Sequence, residues 1–282
     1  MSARSAAPGY ALAFGPTLGL GLLFLVPFGI MGVTSVALRN PRGFYAPGFT
    51  LDHYERFLSP FFGRILLDSV LICGLAALIS VMIAFPTTWL VTRLSRRAQV
   101  VFLVAVLAVL SLSEVIVGFA WSKLLSRSEG VSNILVMLGL MAEPAAWTPG
   151  FAAVVAALSY ATLPYAALVL YPTLSRIDPE VTEAAETLGA SPVRTFAEIV
   201  VPMARAPIAA CLIMAFVFTL GAYAIPNLLG SGNPVRWTIT VHITDQAFQQ
   251  SNLPFAAAMA ILLLIVTLGL IWVTQRWLGG GR

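Results

Sequence analysis

Ionisable side chains are scarce in this chain, and their positions say more about its chemistry than their number. Twelve carboxylates, sixteen Lys and Arg, two His and two Cys are spread over 282 residues. His53 and His242 fall in segments between apolar stretches, with no ligand-spaced neighbour, and read as ordinary surface histidines. Cys73 and Cys211 each sit inside an apolar run and read as small packing residues. Nowhere are His, Cys or carboxylates paired at metal or nucleophile spacing, so neither a metal, a cofactor nor a catalytic constellation is expected. Glu114 and Asp68 are different, because they lie within apolar runs long enough to cross a bilayer. A charge at that depth costs at least about 2.5–3.5 kcal/mol on insertion scales and usually faces a cavity or a partner. Glu114 is expected near the middle of a helix, either as a counter-charge for a cationic solute or in a structural hydrogen bond, for instance with Ser111 or Ser113. Asp68 is expected near the outer end of its helix, where entrance electrostatics and simple snorkelling are both open. Five of the twelve acids, Asp178, Glu180, Glu183, Glu186 and Glu198, crowd into residues 173–206.

The elements that carry these residues follow from composition. Hydrophobic residues make up 59% of the chain and charged ones 10%, against roughly 25% charged in an ordinary soluble domain. With a mean hydropathy of +0.91, there are too few polar side chains to cover a water-facing surface. A soluble enzyme, a disordered protein and a nucleic-acid binder are excluded; the net charge of +4 comes from dispersed Arg. Six apolar runs reach the ~20 residues that span the hydrocarbon core: about 12–36, 65–91, 99–124, 150–172, 207–229 and 254–277. The run 131–141 is too short to span and reads as a re-entrant or interfacial helix. The first run has only Arg4 before it and no small-residue cleavage site after it, so it reads as a retained membrane helix rather than a signal peptide. The expected fold is all-α, a polytopic membrane protein of about six helices. Placing both termini in the cytoplasm puts nine cations inside against seven outside, and the short RLSRR connection at 93–97 weights that choice.

The acidic segment is punctuated as two short helices. Asp178 can cap a helix that starts at Pro179, and Gly189 can close it in the left-handed conformation; Ser191 can cap a second helix from Pro192 that runs until Pro202 interrupts it. Glu180, Glu183 and Glu186 then form an acidic face, with Val181, Ala184, Ala185 and Leu188 on another. A solvated loop lying on its own bundle is one outcome. Two capped helices, a glycine stop and a small-residue face favour docking into a partner's groove.

Glu183-Ala184-Ala185, Gly189, Ile199, Val201 and Pro202 reproduce the EAA-x3-G-x9-I-x-L-P signature, with Val in place of Leu. The chain therefore resembles the inner-membrane permeases of binding-protein-dependent ABC importers, from about residue 60 to 277. The resemblance implies the type I importer fold, in which residues 173–206, Glu186 included, form the coupling helix seated on an ATP-hydrolysing subunit. It also implies a periplasmic solute-binding protein, a second and different permease chain, ATPase subunits in two copies, and a bacterial inner-membrane location in contact with lipid. No GxxxxGK[ST] sequence occurs, so ATP hydrolysis is expected on another chain. Residues 1–60 would form a tail, first helix and outer loop, 61–277 the transmembrane core, and 278–282 a C-terminal tail.

FTLDHYERFLSP (49–60), SEVIVGFAWSKLL (113–125), TLGAYAIPNLLGSGNP (219–234) and NLPFAAAMAILL (252–263) resemble the polyamine-type branch of these permeases. That implies a polyamine or similar organic cation as solute; the competing reading is a secondary transporter or channel that works without an ATPase. Tyr160 and Tyr165 flank Pro164, and Tyr223 and Asn227 flank Pro226. Prolines at membrane depth free carbonyls that other groups must satisfy, which places Tyr160, Tyr223 and Asn227 with Glu114 and Asp68 as pathway candidates. Trp121 reads more readily as part of an interfacial aromatic belt.

Overall fold

The structure is a computed structural model that describes residues 9–40, 43–230 and 238–279. Arg4, Arg42, Arg236 and Arg282, which entered the charge balance, and residues 231–234 of the glycine-rich stretch lie outside them. Every regular element among the described residues is helical, with a lone antiparallel bridge between Leu38 and Ala46.

Two compact units divide the chain. The first joins Met1–Ser59 to His242–Val266. Helix α1 (Gly9–Ser35) is apolar on all sides and carries Pro16 and Pro27 within it; α2 (Asp52–Phe57) is short. His53 donates from Nε2 to Ala37 O at 3.0 Å, the hydroxyls of Ser35 and Tyr54 share a hydrogen bond of 2.7 Å, and Arg56 lies 4.5 Å over the ring of the fully buried Phe255. Both histidines depart from the surface role expected of them: His53 is 9% exposed and His242 is 6% exposed. Aromatic residues of the fold, Phe255 among them, bury what spacing alone assigns to solvent.

The second unit comprises Pro60–Val241 with Thr267–Arg282. Helix α3 (Pro60–Thr92) has 33 residues, roughly 50 Å at ~1.5 Å per residue, so it outruns the hydrocarbon core. The third apolar run is not one helix. It forms α4 (Arg96–Leu110) and α5 (Glu114–Leu124), which meet at 90°. Of the run at 131–141, α6 covers Val131–Met137, and α7 (Phe151–Leu174) is straight enough to span despite Pro164 and Pro172. Next come α8 (Pro179–Thr187), α9 (Pro192–Thr195), a π turn at Phe196–Val200 and α10 (Val201–Met203). Pro202 does not end this helix as expected. It cannot donate a backbone bond, and the wider π turn before it absorbs the missing donor; the bend comes at Ala204, where α11 (Arg205–Gly221) leaves at 73°. The fifth run also breaks, at Ala222–Tyr223, before α12 (Ala224–Gly230). The chain then continues through α13 (Ile239–Thr244), a π turn at Asp245–Gln249 and α14 (Leu253–Gly279). Four helices are long and apolar enough to span, or six with each bent pair counted as one span.

Packing centres on α3 and α7. Ala76, Ala77 and Ala84 of α3 and Ala157, Ala166 and Ala167 of α7 are buried, as expected where helix backbones approach closely in a membrane. Ser80 Oγ lies 2.9 Å from Ser159 O, and Ser159 Oγ lies 3.3 Å from Ala76 O. Thr219 of α11 donates to Cys73 O at 3.3 Å. Gln99 of α4 closes the tight 93–97 connection: its Nε2 donates to Thr92 O and Leu94 O, and its Oε1 accepts from Tyr171 OH at 2.8 Å.

Candidate coupling hairpin and membrane cavity

The hairpin at 173–206 forms from its own local signals. Asp178 Oδ1 accepts from Glu180 N at 3.0 Å and Ser191 Oγ from Arg194 N at 3.3 Å, so both expected caps are made. Between the helices Gly189 stands at φ +90°; its N–H donates to Glu186 O and that of Ala190 to Ala185 O, the paired closure of a Schellman motif. The apolar residues of the first helix are divided between two sides. Thr182 and Ala185 turn inward, while Val181, Ala184 and Leu188, one stripe at helical spacing, face outward. Leu188 is 89% exposed and Val193, at the start of the second helix, 78% exposed. Glu180, Glu183 and Glu186 are exposed, Ile199 is half-buried and Pro202 is exposed. Glu198 is paired within its own helix to Arg194 at 3.0 Å.

Sequence reasoning missed the residue facing this acidic helix. Arg93, just past the end of α3, lays its guanidinium 3.9 Å over the ring of Trp89. Partial burial holds it below the ordinary arginine value, opposed by the charges of Glu183, Asp178 and Glu186. Trp89, Arg93, Glu183, Glu186 and Phe196 line a cavity of about 480 Å³ between the α3 end and the hairpin. Three Arg in one short connection were legible as an orientation signal; the stacking of one on Trp89 depends on the fold.

Glu114 does not sit mid-helix. It is the first residue of α5, after the break, where Ser113 caps the helix by accepting from Val115 N at 3.3 Å. Neither Ser111 nor Ser113 takes the carboxylate; Glu114 Oε1 accepts from Ile225 N of α12 at 3.0 Å. The two broken spans thus meet at their breaks. Gly118 makes the approach possible, since a Cβ there would lie 2.8 Å from Leu228 Cδ1 and 3.6 Å from Ile225 Cα. Glu114 also lines a cavity of about 210 Å³ with Val117, Tyr160, Tyr165 and Phe218. Trp121 stands 5.9 Å from Tyr160, ring to ring, and the rings of Tyr165 and Phe218 lie 4.3 Å apart at a tilt of 41°. Tyr223 occupies the second break and accepts from Asn227 N, so both lie beside Ile225 but do not line this cavity. Asp68, half-buried on α3, is likewise outside it. Ser113-Glu114, a capping residue followed by an acid, was the available signal for the break.

Continuous apolar helices beside broken ones, with a doubly capped hairpin between spans, define a polytopic α-helical membrane protein. Residues 16–275 match the family model described as binding-protein-dependent transport system inner membrane component, and the chain belongs to that family. It is 28% identical over 246 residues to the spermidine/putrescine transport system permease protein PotB of Escherichia coli (strain K12), covering 86% of this chain and 88% of that one. It is 30% identical over 286 residues to the inner membrane ABC transporter permease protein YdcU of the same organism, with 92% and 90% covered. The fold matches two structures of a bacterial alginate ABC transporter, with TM-scores of 0.71 and 0.74 at 20% identity over 95% of this chain; they cover 93% and 92% of those chains. The chain is thus a multi-pass inner-membrane permease subunit of an ABC importer.

Proposed function

We propose that this subunit passes a small organic cation of the polyamine class through a pore that a second, different permease chain completes. A periplasmic solute-binding protein delivers the solute, and two copies of an ATP-hydrolysing subunit dock on residues 173–206. In this reading both termini are cytoplasmic, residues 61–277 form the permease core, and ATP is hydrolysed on the partner. Two relatives support it: PotB, named for spermidine and putrescine, and an alginate transporter crystallised with its periplasmic protein. The observation that carries it is the hairpin. A doubly capped turn that leaves Leu188 and Val193 in the open is an apolar surface without cover among the described residues, and such a surface belongs against a partner. Glu183, Ala184, Ala185, Glu186, Gly189, Ile199 and Pro202 shape and present it. Glu114, Tyr160, Tyr223 and Asn227 lie along the pathway around the two breaks, and Asp68 stands at its mouth.

The test is ATP-driven uptake of labelled putrescine by proteoliposomes holding the assembled importer. Uptake is expected for the wild-type complex and lost in Leu188→Glu, with the ATPase subunit no longer co-purifying. A Leu188→Glu complex that assembles and transports at the wild-type rate overturns the docking surface.

A further inference from the structure

The break between α4 and α5 places Glu114 in the first turn of α5, with its carboxylate against the start of α12. Glu114 Oε1 holds Ile225 N–H, but a carboxylate offers about four acceptor positions, and one N–H leaves most of them unspent. Glu114 takes part in none of the ion pairs among the described residues, which join Lys123 to Glu129, Arg127 to Glu143 and Arg194 to Glu198. A half-buried charge at membrane depth with no ion-pair partner among the described residues is costly unless something cationic comes to it.

What surrounds it suits one kind of visitor. The cavity at Glu114 is about 210 Å³, below the roughly 300–1,000 Å³ of sites for drug-sized ligands. It has room for one end of a slender chain rather than a whole bulky solute. Its lining is mixed: Tyr160, Tyr165 and Phe218 supply rings, the two tyrosines 40% and 42% exposed, beside the aliphatic Leu110, Leu112 and Val117, and Trp121 lies 5.9 Å from Tyr160, ring to ring. Aromatic faces attract an ammonium through the ring quadrupole, and a carboxylate in a partly desolvated site does so more strongly than in water.

We propose that Glu114, with the rings of Tyr160 and Tyr165, is the subsite that receives the ammonium end of the solute on its way through the membrane. The proposal rests on the reading of the solute as an organic cation. It adds a link between solute and structure: the carboxylate that meets the cation also anchors the start of α12. With Gly118 packed against Ile225 and Leu228, α5 and α12 move together, so charge arriving at Glu114 is felt by both broken spans.

Glu114→Gln separates the two roles, because its amide oxygen can still accept from Ile225 N–H while the charge is gone. In proteoliposomes carrying the complete importer, with labelled putrescine and spermidine as probes, Glu114→Gln is expected to raise the KM of uptake about tenfold or more, a change of about 1.4 kcal/mol. Tyr160→Leu removes the ring and should follow Glu114→Gln. Co-purification with the ATPase subunit checks that each variant assembles. If Glu114→Gln transports with an unchanged KM while Glu114→Ala loses assembly, Glu114 is a helix anchor only and the subsite is overturned. A wild-type complex that takes up neither probe overturns the organic-cation reading itself, and the subsite with it.

Discussion

Replacing Gly189 tests the hairpin through backbone geometry alone. At φ +90° an L residue is strained, yet no atom lies within 4 Å of the position a Cβ would take, so steric conflict adds nothing. An ordinary L residue in the left-handed region costs roughly 1–2 kcal/mol, of which about 0.4–1 kcal/mol is returned by the stiffer unfolded chain. Gly189→Ala should therefore lose ~0.5–1 kcal/mol. Gly189→Val, β-branched at such a position, should lose about 2–3 kcal/mol, a shift of roughly 30- to 150-fold in the turn equilibrium. Asn tolerates this region and should remain near the glycine. The assay is solute-stimulated ATPase activity of the assembled importer, together with the fraction of ATPase subunit retained on purification. Activity should fall in the order Gly, Asn, Ala, Val. Two results refute the reasoning: a Val variant equal to wild type, or an Asn variant as impaired as Val, which would mean that side-chain space rather than φ decides.

Gly118→Ala should be tolerated because the obstructing Leu228 Cδ1 is the end of a flexible side chain, whereas Gly118→Ile should force α5 from α12 at a cost of about 1–3 kcal/mol; thermal unfolding in detergent and uptake measure both. Arg93→Met keeps the stem on Trp89 but removes the charge facing Glu183 and Glu186, and should speed hydrogen exchange in residues 179–187 up to about fivefold, as expected for losing an exposed charge attraction of about 0.2–1 kcal/mol. Unchanged exchange would show that Arg93 does not steady the hairpin. For topology, Cys73 and Cys211 are first removed; cysteines at Ser95 and Ser191 should then resist impermeant thiol reagents added from outside, and one at Ser59 should react. The reverse pattern would invert the orientation and remove the hairpin from the cytoplasm.

The spans and the hairpin were legible in the sequence for different reasons. A bilayer demands length and apolarity, and all six runs coincide with helices or helix pairs. The hairpin was readable because Asp178, Gly189 and Ser191 act on their immediate neighbours and need no distant contact. The breaks at 111–113 and 222–223 were hidden because hydropathy is blind to direction: a run of apolar residues looks alike whether it crosses straight or turns 90°. Ser113 and Glu114 carried a capping signal there, but its meaning depended on Ile225, over a hundred residues away. The histidines were misplaced for a similar reason, since Ala37 and Phe255 reach His53 only through the tertiary fold. Arg93 on Trp89 had a helical spacing of four, yet nothing local told it to turn back onto the ring.

The seam between α3 and α7 limits how this permease can move. Ser80 and Ser159 reach across it with the shortest hydroxyl side chain, so the bonds have almost no slack. Sliding one helix along the other by a turn would give up these cross-helix bonds and the close packing of the buried alanines. These two helices therefore form the fixed frame of the machine. Displacement is confined to places where the chain already bends: the joints at 111–113, at Ala204 and at 222–223. A conformational cycle built on this frame is a matter of swinging short arms from stationary posts, and spectroscopic labels on α5 and α12 should change their separation from α7 while labels on α3 and α7 keep theirs.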